Sequence, residues 1–229
     1  MKIRSSRLLI FLILILGNSL VFGQINFKAG LTIGHVNPQH TNIMLKRYNQ
    51  EHTDLKKKFT PIRFLLGLDV GLRYRLEVVD FELTYRIKAR KAKAKGTYPG
   101  TDRSLSREIL LGINSFSFGV GVHYKSFGFG GAIDLSKLII QGRNDSGKSK
   151  DKFPIVNKPF WGNHFYLSYE LAANDNLALS IRPYLQLTGG KFNVAPLQSP
   201  LEQENTGVDM LDDFTNYGIM LIFYNGRQD

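Results

Sequence analysis

The sequence predicts an all-β fold: an eight-stranded antiparallel up-and-down transmembrane β-barrel, preceded by a signal peptide. Three observations lead to this prediction. Apolar and polar residues alternate in eight segments, short and long connectors alternate between those segments, and aromatic residues lie near the ends of the apolar faces.

Composition narrows the class of protein. The 229 residues are 43% hydrophobic and 12% aromatic, and they include no cysteine. Without thiols there are no disulfides, thiolate metal sites or cysteine nucleophiles, and the apolar content excludes a disordered polycation. The net charge of +11 makes nucleic acid the first partner to consider. No helix-turn-helix, RNP or zinc-finger pattern occurs, so nucleic-acid binding is not predicted.

Residues 1–23 are predicted to be a signal peptide. A basic start is followed by an unbroken apolar run at residues 8–16. A membrane-spanning helix needs about 20 apolar residues, so this run is too short to be one. The small residues Val21 and Gly23 fit a cleavage site, and residues 24–229 then form the barrel domain.

The alternating segments are predicted to be the barrel strands. They span residues 25–36, 62–74, 79–89, 108–124, 127–140, 163–172, 177–189 and 214–224. In the second strand, for example, Leu68 lies on the apolar face and Asp69 on the polar face. The alternation changes phase near Asn114 and Ser115, which predicts a β-bulge. Pro183 lacks an N–H group, so it predicts a bulge or a locally unpaired point in the seventh strand.

The connectors distinguish the two ends of the barrel. The short connectors lie at residues 75–77, 125–126 and 174–176, and the long ones at 37–60, 90–107, 142–162 and 192–213. Strict alternation places every short connector at one end and every long one at the other. This asymmetry is typical of outer-membrane barrels, whose periplasmic turns are short and whose extracellular loops are long. An even strand number places both termini on the periplasmic side.

Face polarity must still be assigned, because a soluble barrel has the same alternation with its faces inverted. Aromatic residues near the ends of the apolar face favour a lipid-facing girdle. They are Tyr74, Tyr85, Tyr124, Phe127, Tyr169, Tyr217 and Phe223. Glycines concentrate on the polar face, as expected for the crowded inside of a narrow barrel. We therefore predict that the polar face lies inside and that the protein resides in the outer membrane of a Gram-negative bacterium.

Two short motifs carry a family resemblance. Residues 27–36 (FKAGLTIGHV) are similar to the first strand of the small outer membrane protein β-barrel families, including porin-family and PorT-like proteins. Asn216, Gly218, Leu221 and Phe223 resemble the assembly signal that the barrel assembly machinery reads on the last strand. The resemblance implies the fold, insertion by that machinery and partners within the envelope. It does not imply an activity.

The polar face brings charges of both signs into the predicted interior. They are Lys28, Arg63, Asp69, Arg73, Asp80, Glu82, Arg86, Lys88, Asp134, Glu170 and Arg182. An unpaired buried charge costs several kcal/mol, so this near-balance predicts a network of ion pairs. Arg73 and Asp80 flank one short turn and are the expected cross-strand partners. Eight strands leave space only for side chains, so a filled interior is predicted rather than an open channel.

Catalytic chemistry has one candidate group, His164, Ser168 and Glu170 on one strand face. At about 3.3 Å per residue, His164 and Ser168 are too far apart for a nucleophile–base hydrogen bond. We therefore predict a non-catalytic protein, with a role in envelope integrity, adhesion or a secretion assembly. A small enzyme acting on lipid A, with His164 bonded to a serine of another strand, and a narrow channel for small solutes remain alternatives. No cofactor motif or metal-ligand spacing occurs, so neither is predicted.

Charge in the long connectors predicts a partner. The first three connectors are basic and the fourth is acidic. Lysines of the first two are expected to contact lipopolysaccharide phosphates in the outer leaflet. They are Lys56, Lys57, Lys58, Lys91, Lys93 and Lys95. The acidic connector is expected either to pair with the basic ones or to bind divalent cations weakly.

Overall fold

The computed structural model describes residues 24–97, 104–145, 150–174, 176–204 and 207–225, so the predicted signal peptide lies outside the described residues. A single α-helix of the described chain, α1 (Gln39–Glu51), follows the first strand. The strands are β1 (Gln24–Val36), β2 (Leu55–Lys57), β3 (Phe64–Arg75), β4 (Val79–Thr97), β5 (Ser104–Tyr124), β6 (Phe127–Asp145), β7 (Lys150–Asn174), β8 (Leu177–Thr188), β9 (Lys191–Asn193), β10 (Leu211–Asp213) and β11 (Asn216–Asn225). Within the described chain, no helix combines the length and the hydropathy that a membrane crossing requires.

Eight of the strands close into one antiparallel barrel. β1 pairs with β3, each strand from β3 to β7 pairs with the next one in sequence, and β11 pairs with both β8 and β1. The closing ladder between β1 and β11 runs without a break from Phe27 opposite Asn225 to Val36 opposite Asn216. The predicted eight-stranded up-and-down barrel is therefore confirmed. The short strand β2 adds to β4 beyond the end of β3.

The two ends of the barrel differ as predicted. The turn end carries the short connectors between β3 and β4, β5 and β6, and β7 and β8. There the amide of Leu76 donates a hydrogen bond to the carbonyl of Val79 (2.8 Å). Lys125 adopts a left-handed φ of 54°, which suits a tight two-residue hairpin turn. The loop end carries the long connectors.

Two of the predicted long loops are largely strand. β4 and β5 continue to Thr97 and from Ser104, and β6 and β7 extend in the same way to Asp145 and from Lys150. Residues 90–97 with 104–107, and residues 142–145 with 150–162, thus form two sheet extensions that project at the loop end. The sequence does not predict these extensions as strands, because the polarity of their inward and outward faces differs from that of the barrel strands that they extend.

The outward face of the barrel is an apolar belt. Its exposed side chains include Phe27, Leu31, Ile33, Leu66, Leu68, Val70, Leu83, Phe116, Phe118, Val120, Ile133, Leu167, Ile219 and Leu221. Aromatic rings border it at both ends. Phe127 contacts Tyr169 at the turn end (centroids 5.0 Å apart), and His35 contacts Phe64 and Tyr217 at the loop end (5.4 and 5.1 Å). A closed barrel with such a belt is stable in lipid rather than in water.

The predicted β-bulge at Asn114 and Ser115 is wrong. Asn114 lies opposite Ile87 and Ser115 opposite Arg86, and the ladders of β5 with β4 and β6 continue through both residues without a register shift. Odd-numbered residues of β5 face inward on both sides of this point. The inward face changes from polar to apolar there, while the strand itself stays regular.

An apolar core fills the loop end. The inward side chains of β5 and β6 near the loop end are fully buried; they include Leu111, Ile113, Leu138 and Ile140. They belong to one cluster with Met44, Leu45 and Tyr48 of α1 and with Val194, Leu197 and Leu201 of the fourth long connector. We call α1 together with residues 194–203 the cap, because they close the mouth of the barrel.

Pro183 interrupts the ladder between β7 and β8, as predicted. Tyr166 pairs with Tyr184 and Tyr169 with Ile181, but the residues between them are not paired. On its other side Pro183 lies opposite Ile219 of β11. Its exposed ring faces outward into the apolar belt.

Candidate functional site

Glu82 is the centre of the interior charge network. Its carboxylate accepts hydrogen bonds from Lys28 (2.5 Å), from both terminal nitrogens of Arg182 (3.0 and 2.9 Å) and from the hydroxyl of Tyr224 (2.8 Å). These four buried side chains come from β1, β4, β8 and β11. The network therefore spans the bore and links strands that are not neighbours in the sheet.

A second group surrounds Asp69, which accepts hydrogen bonds from the hydroxyl of Thr32 and from Nε of Arg86. A terminal nitrogen of Arg86 lies 2.6 Å from Nδ1 of His164. A guanidinium can only donate, so Nδ1 is the acceptor and the proton of the neutral imidazole is on Nε2. His164 thus serves as a hydrogen-bond acceptor in the core.

Lys88 is held by neutral groups. Its ammonium donates to the side-chain oxygens of Gln186 and of Asn216 (2.6 Å for the latter) and lies 5.2 Å from the ring centre of Tyr184. The amide nitrogen of Gln186 in turn donates to Asp134. Gln186 therefore bridges a buried cation and a buried anion.

The turn end has its own ion-pair cluster. Glu170 accepts from Arg73 (2.7 Å) and Arg75 (2.6 Å), and Arg75 also bonds to Asp80 (3.1 Å). The guanidinium of Arg73 stacks 3.6 Å from the ring centre of Tyr224. The predicted pairing of Arg73 with Asp80 is wrong, because the register of β3 and β4 places Arg75 opposite Asp80.

All the charged residues predicted for the interior lie there except Arg63. This residue precedes β3 and is exposed, and its carbonyl accepts a hydrogen bond from the amide of Val36 (2.9 Å). The prediction is wrong because β3 begins at Phe64, so strand alternation does not apply to Arg63. Arg75 takes its place as the sixth interior cation. Arg75 has the same parity as Arg73, and that signal would have identified it.

The residues considered for catalysis are engaged in separate places. His164 accepts from Arg86, whereas Glu170 binds two arginines at the turn end. His164 shares a cavity of about 10 Å³ with Ser117, and Nε2 of the histidine and Oγ of the serine have no protein partner there. This volume accommodates about one water molecule and no lipid substrate. Within the described parts of the chain, no group of three histidine or acidic side chains is placed to hold a metal ion.

The structure joins the two sets of lysines that the sequence places in separate connectors. β2 pairs with the upper part of β4, and this pairing sets Lys57 directly opposite Lys95. Lys91 and Lys93 lie 3.0 and 3.8 Å from Glu108 of β5. We call this surface the lysine face; it consists of Lys56, Lys57, Lys58, Lys91, Lys93 and Lys95.

The acidic connector contacts α1 and the basic connector that contains Arg107. Asp212 is buried and accepts from the backbone amides of His40 (2.7 Å) and Thr41 (2.9 Å) and from the Thr41 hydroxyl (2.6 Å). It satisfies amides that the N-terminus of α1 leaves free. Glu202 pairs with Arg107 and with His52 (3.1 Å). Of the two expectations for this connector, pairing with a basic segment therefore applies to Glu202.

The predicted assembly signal lies on β11 and has two faces. Leu221 and Phe223 point outward and are exposed, whereas Asn216 points inward and binds Lys88. A Cβ atom at Gly218 would collide with the carbonyl oxygen of Ile33, so this position requires glycine for close approach of β1. Its recognition by the assembly machinery stays a prediction.

Comparisons with known proteins give likenesses at the level of structure. No protein-family model matches the chain, and no curated protein sequence matches it significantly. The Yersinia pestis attachment invasion locus protein Ail, solved in complex with the heparin analogue sucrose octasulfate, is 9% identical (TM-score 0.45, covering 90% of this chain and 99% of that chain). Neisserial surface protein A is 11% identical (TM-score 0.39, 88% and 96%), and the Escherichia coli outer membrane protease OmpT is 7% identical (0.33, 89% and 93%).

Likenesses at this level do not extend to function. The closed strand order, the apolar belt and the aromatic borders identify the architecture on their own. The chain is a small eight-stranded outer-membrane β-barrel.

Proposed function

We propose that this protein is a non-catalytic, non-conducting outer-membrane barrel whose loop end faces outward and whose lysine face binds the phosphate groups of lipopolysaccharide in the same leaflet. It would contribute in this way to envelope integrity. The observation that carries the proposal is the pairing of β2 with β4, which brings Lys56 and Lys57, followed by Lys58, next to the strand that carries Lys91, Lys93 and Lys95.

The charges of the lysine face are incompletely neutralised within the described chain. Glu108 is the one carboxylate there that contacts these lysines, and it is shared by Lys91 and Lys93. Lys57 and Lys95 lie directly opposite each other. Like charges in this position destabilise a sheet unless an anion lies between them. The arrangement therefore favours an external anion.

The position of the lysine face indicates which anion. Lys91, Lys93 and Lys95 continue the outward face of β4 directly above Tyr85 and Ile87, which belong to the apolar belt. The side chain of Lys91 is 55% exposed. Charges at this height meet the headgroups of the outer leaflet, where lipid phosphates are concentrated.

The interior supports a role without transport or catalysis. Ion pairs cross the bore around Glu82, and the apolar core of the cap lies above them. Steady conductance of the purified barrel in planar bilayers would contradict the non-conducting part of the proposal. Release of fatty acid from lipid A by the purified barrel would contradict the non-catalytic part.

The phosphate contacts are tested by reversing the charge of Lys91, Lys93 and Lys95 together. Each basic residue near an anionic lipid surface contributes about 1 kcal/mol, so we expect lipopolysaccharide co-purification to fall by at least about tenfold. The measurement is the amount of lipopolysaccharide per barrel after extraction from the membrane.

The control is Lys125→Glu at the turn end, which faces the opposite side of the membrane and should retain the wild-type amount. A triple change of the same lysines to glutamine, with folding checked by heat-modifiable gel migration, guards against misfolding. Unchanged retention in both triple variants would overturn the phosphate contacts.

A further inference from the structure

A groove of about 360 Å³ lies outside the barrel, between α1 and the segment that leads into β3. It is distinct from the lysine face. Its lining combines amide, cationic and apolar side chains: Asn37, Gln39, Asn42, Ile43, Leu45, Lys46, Asn49, Phe59, Pro61 and Arg63.

Two asparagines hold the groove in shape. Asn42 exchanges two hydrogen bonds with the backbone of Ile62 (3.0 and 2.7 Å), and Asn49 exchanges two with the backbone of Phe59 (2.9 and 2.8 Å). The asparagines are seven positions apart, two turns along one face of α1. The extended segment is therefore fastened to the helix at two points, and the groove exists without a ligand.

Two exposed cations line this preformed groove. Lys46 comes from α1 and Arg63 from the segment before β3, and no ion pair of either side chain occurs within the described chain. The neighbouring Arg47, in contrast, bonds to Glu51 one turn away (2.6 Å) and does not line the groove. Cations held in a fixed groove without a carboxylate suit a phosphate group, which accepts several charge-assisted hydrogen bonds.

The groove lies at the border between lipid and water. Arg63 directly precedes Phe64, an aromatic residue of the loop-end border that is 50% exposed. Ile43, in the groove lining, is 53% exposed although it belongs to a helix outside the belt. An occupant must therefore offer phosphate and hydroxyl groups to the cations and amides, and an apolar part to Ile43 and Phe64.

We propose that this groove binds one phosphorylated sugar headgroup of an outer-leaflet lipid, with its acyl chains directed down the belt past Phe64. Lys46 and Arg63 hold the phosphate, and the amides of Asn37 and Gln39 hold sugar hydroxyls. The inference rests on the proposed function in one respect, namely that the loop end of the barrel faces the outer leaflet.

The test uses the complete barrel in detergent micelles and native mass spectrometry. The probe is lipid A with both phosphates, titrated against the wild type and against the double variant Lys46→Gln/Arg63→Gln. We expect the groove to hold one lipid and the variant to bind that lipid about tenfold more weakly, because two charge-assisted contacts are lost while both asparagine clamps remain. Arg47→Gln is the matched control and should bind as the wild type does.

Three results of the lipid titrations would overturn the inference. They are equal binding by the double variant, an equal loss in Arg47→Gln, and an undiminished preference for the wild type when dephosphorylated lipid A replaces the probe. Displacement of the lipid by millimolar inorganic phosphate would also overturn it, since it assigns the groove to a soluble anion. The lysine-face variants separate the two proposals: if they keep lipopolysaccharide while the groove variant loses its single lipid, the lysine-face contacts fail and the groove stands.

Discussion

The barrel has two halves whose interiors differ in polarity: one is polar and charged, and the other is apolar. Around Ser117 and Glu82, within the belt, the outward residues are apolar and the interior is polar and charged. Above Ser115, the inward residues Leu111 and Ile113 are buried in an apolar core, while Glu108 on the outward side binds lysines. A single regular strand, β5, runs through both halves. The outside solvent decides which face is apolar: lipid in one half, water in the other.

The opposite polarity of the two halves explains why the change of phase in β5 is not a bulge. A bulge would insert a residue and turn the apolar face, whereas here the register is kept and the preferred environment of each face changes. The same inversion occurs in β4, where the inward Glu82 and Arg86 give way to Ala92 and Ala94. A change of phase in a barrel strand can therefore mark the height at which the strand leaves the membrane.

The largest expected effect is in the polar half. Glu82→Gln keeps the size of the side chain but leaves Lys28 and Arg182 without their counter-charge in the bore. Removing one partner of a buried ion pair costs about 3–5 kcal/mol, so the free energy of unfolding should fall by that amount. Urea titration of the folded barrel, followed by the fluorescence of Trp161, the single tryptophan, measures it.

Glu77→Gln, in the exposed turn between β3 and β4, is the control and should be close to neutral. A loss below about 1 kcal/mol for Glu82→Gln would mean that the interior charges do not act as a connected network.

An intermediate effect is expected in the apolar half. Leu111→Ala removes a fully buried side chain below the cap and should cost about 2–5 kcal/mol. The loss should be local, so hydrogen exchange should increase in α1 while the strands of the belt stay protected. Leu110→Ala, one residue away on the outward face, should cost less than about 1 kcal/mol. Equal effects of the two variants would contradict the inversion of the faces.

The smallest effect concerns pH at the water-exposed end. Partial burial opposes ionisation of Asp213, but hydrogen bonds from the Thr215 amide (2.8 Å) and the Thr188 hydroxyl (2.7 Å) hold its pKa below the ordinary 3.8. Its stabilisation is thus complete above the ordinary pKa and is lost as the pH falls through the lower folded value.

The Thr215 amide resonance, followed by NMR between about pH 5 and pH 2, should titrate below the ordinary value. Asp213→Asn should abolish the titration. A midpoint above 3.8 in the wild type would contradict this account of the carboxylate.

Much of the interior could be predicted because strand alternation is local. Side chains of one strand alternate strictly, so Asp69, Arg73, Glu82 and Arg86 follow from parity once a strand is recognised. Parity does not apply to Arg63, because this residue lies outside β3; the interior position predicted for it is therefore wrong. The pairing of Arg73 depended on register across a turn, and a shift of two residues changes every partner while leaving all the faces the same.

The cap and the lysine face could not be predicted in this way. Asp212 lies far from Thr41 in the sequence, and no local pattern shows that it completes the helix N-terminus. The pairing of β2 with β4, which brings Lys57 to Lys95, likewise joins two separate connectors. Contacts of this kind depend on how distant segments fold back over the mouth of the barrel.

The amino-acid sequence by itself determined the closed eight-stranded barrel, the different lengths of its two ends and the outward direction of its apolar face. These follow from the period of the strand and from the order of short and long connectors, which are properties of neighbouring residues. Only the tertiary structure decided which charges pair across the bore, that the mouth is closed by an apolar cap, and that β2 pairs with β4 so that Lys57 lies opposite Lys95. Those features require contacts between residues far apart in the chain, whose geometry is set by strand register and packing rather than by local pattern.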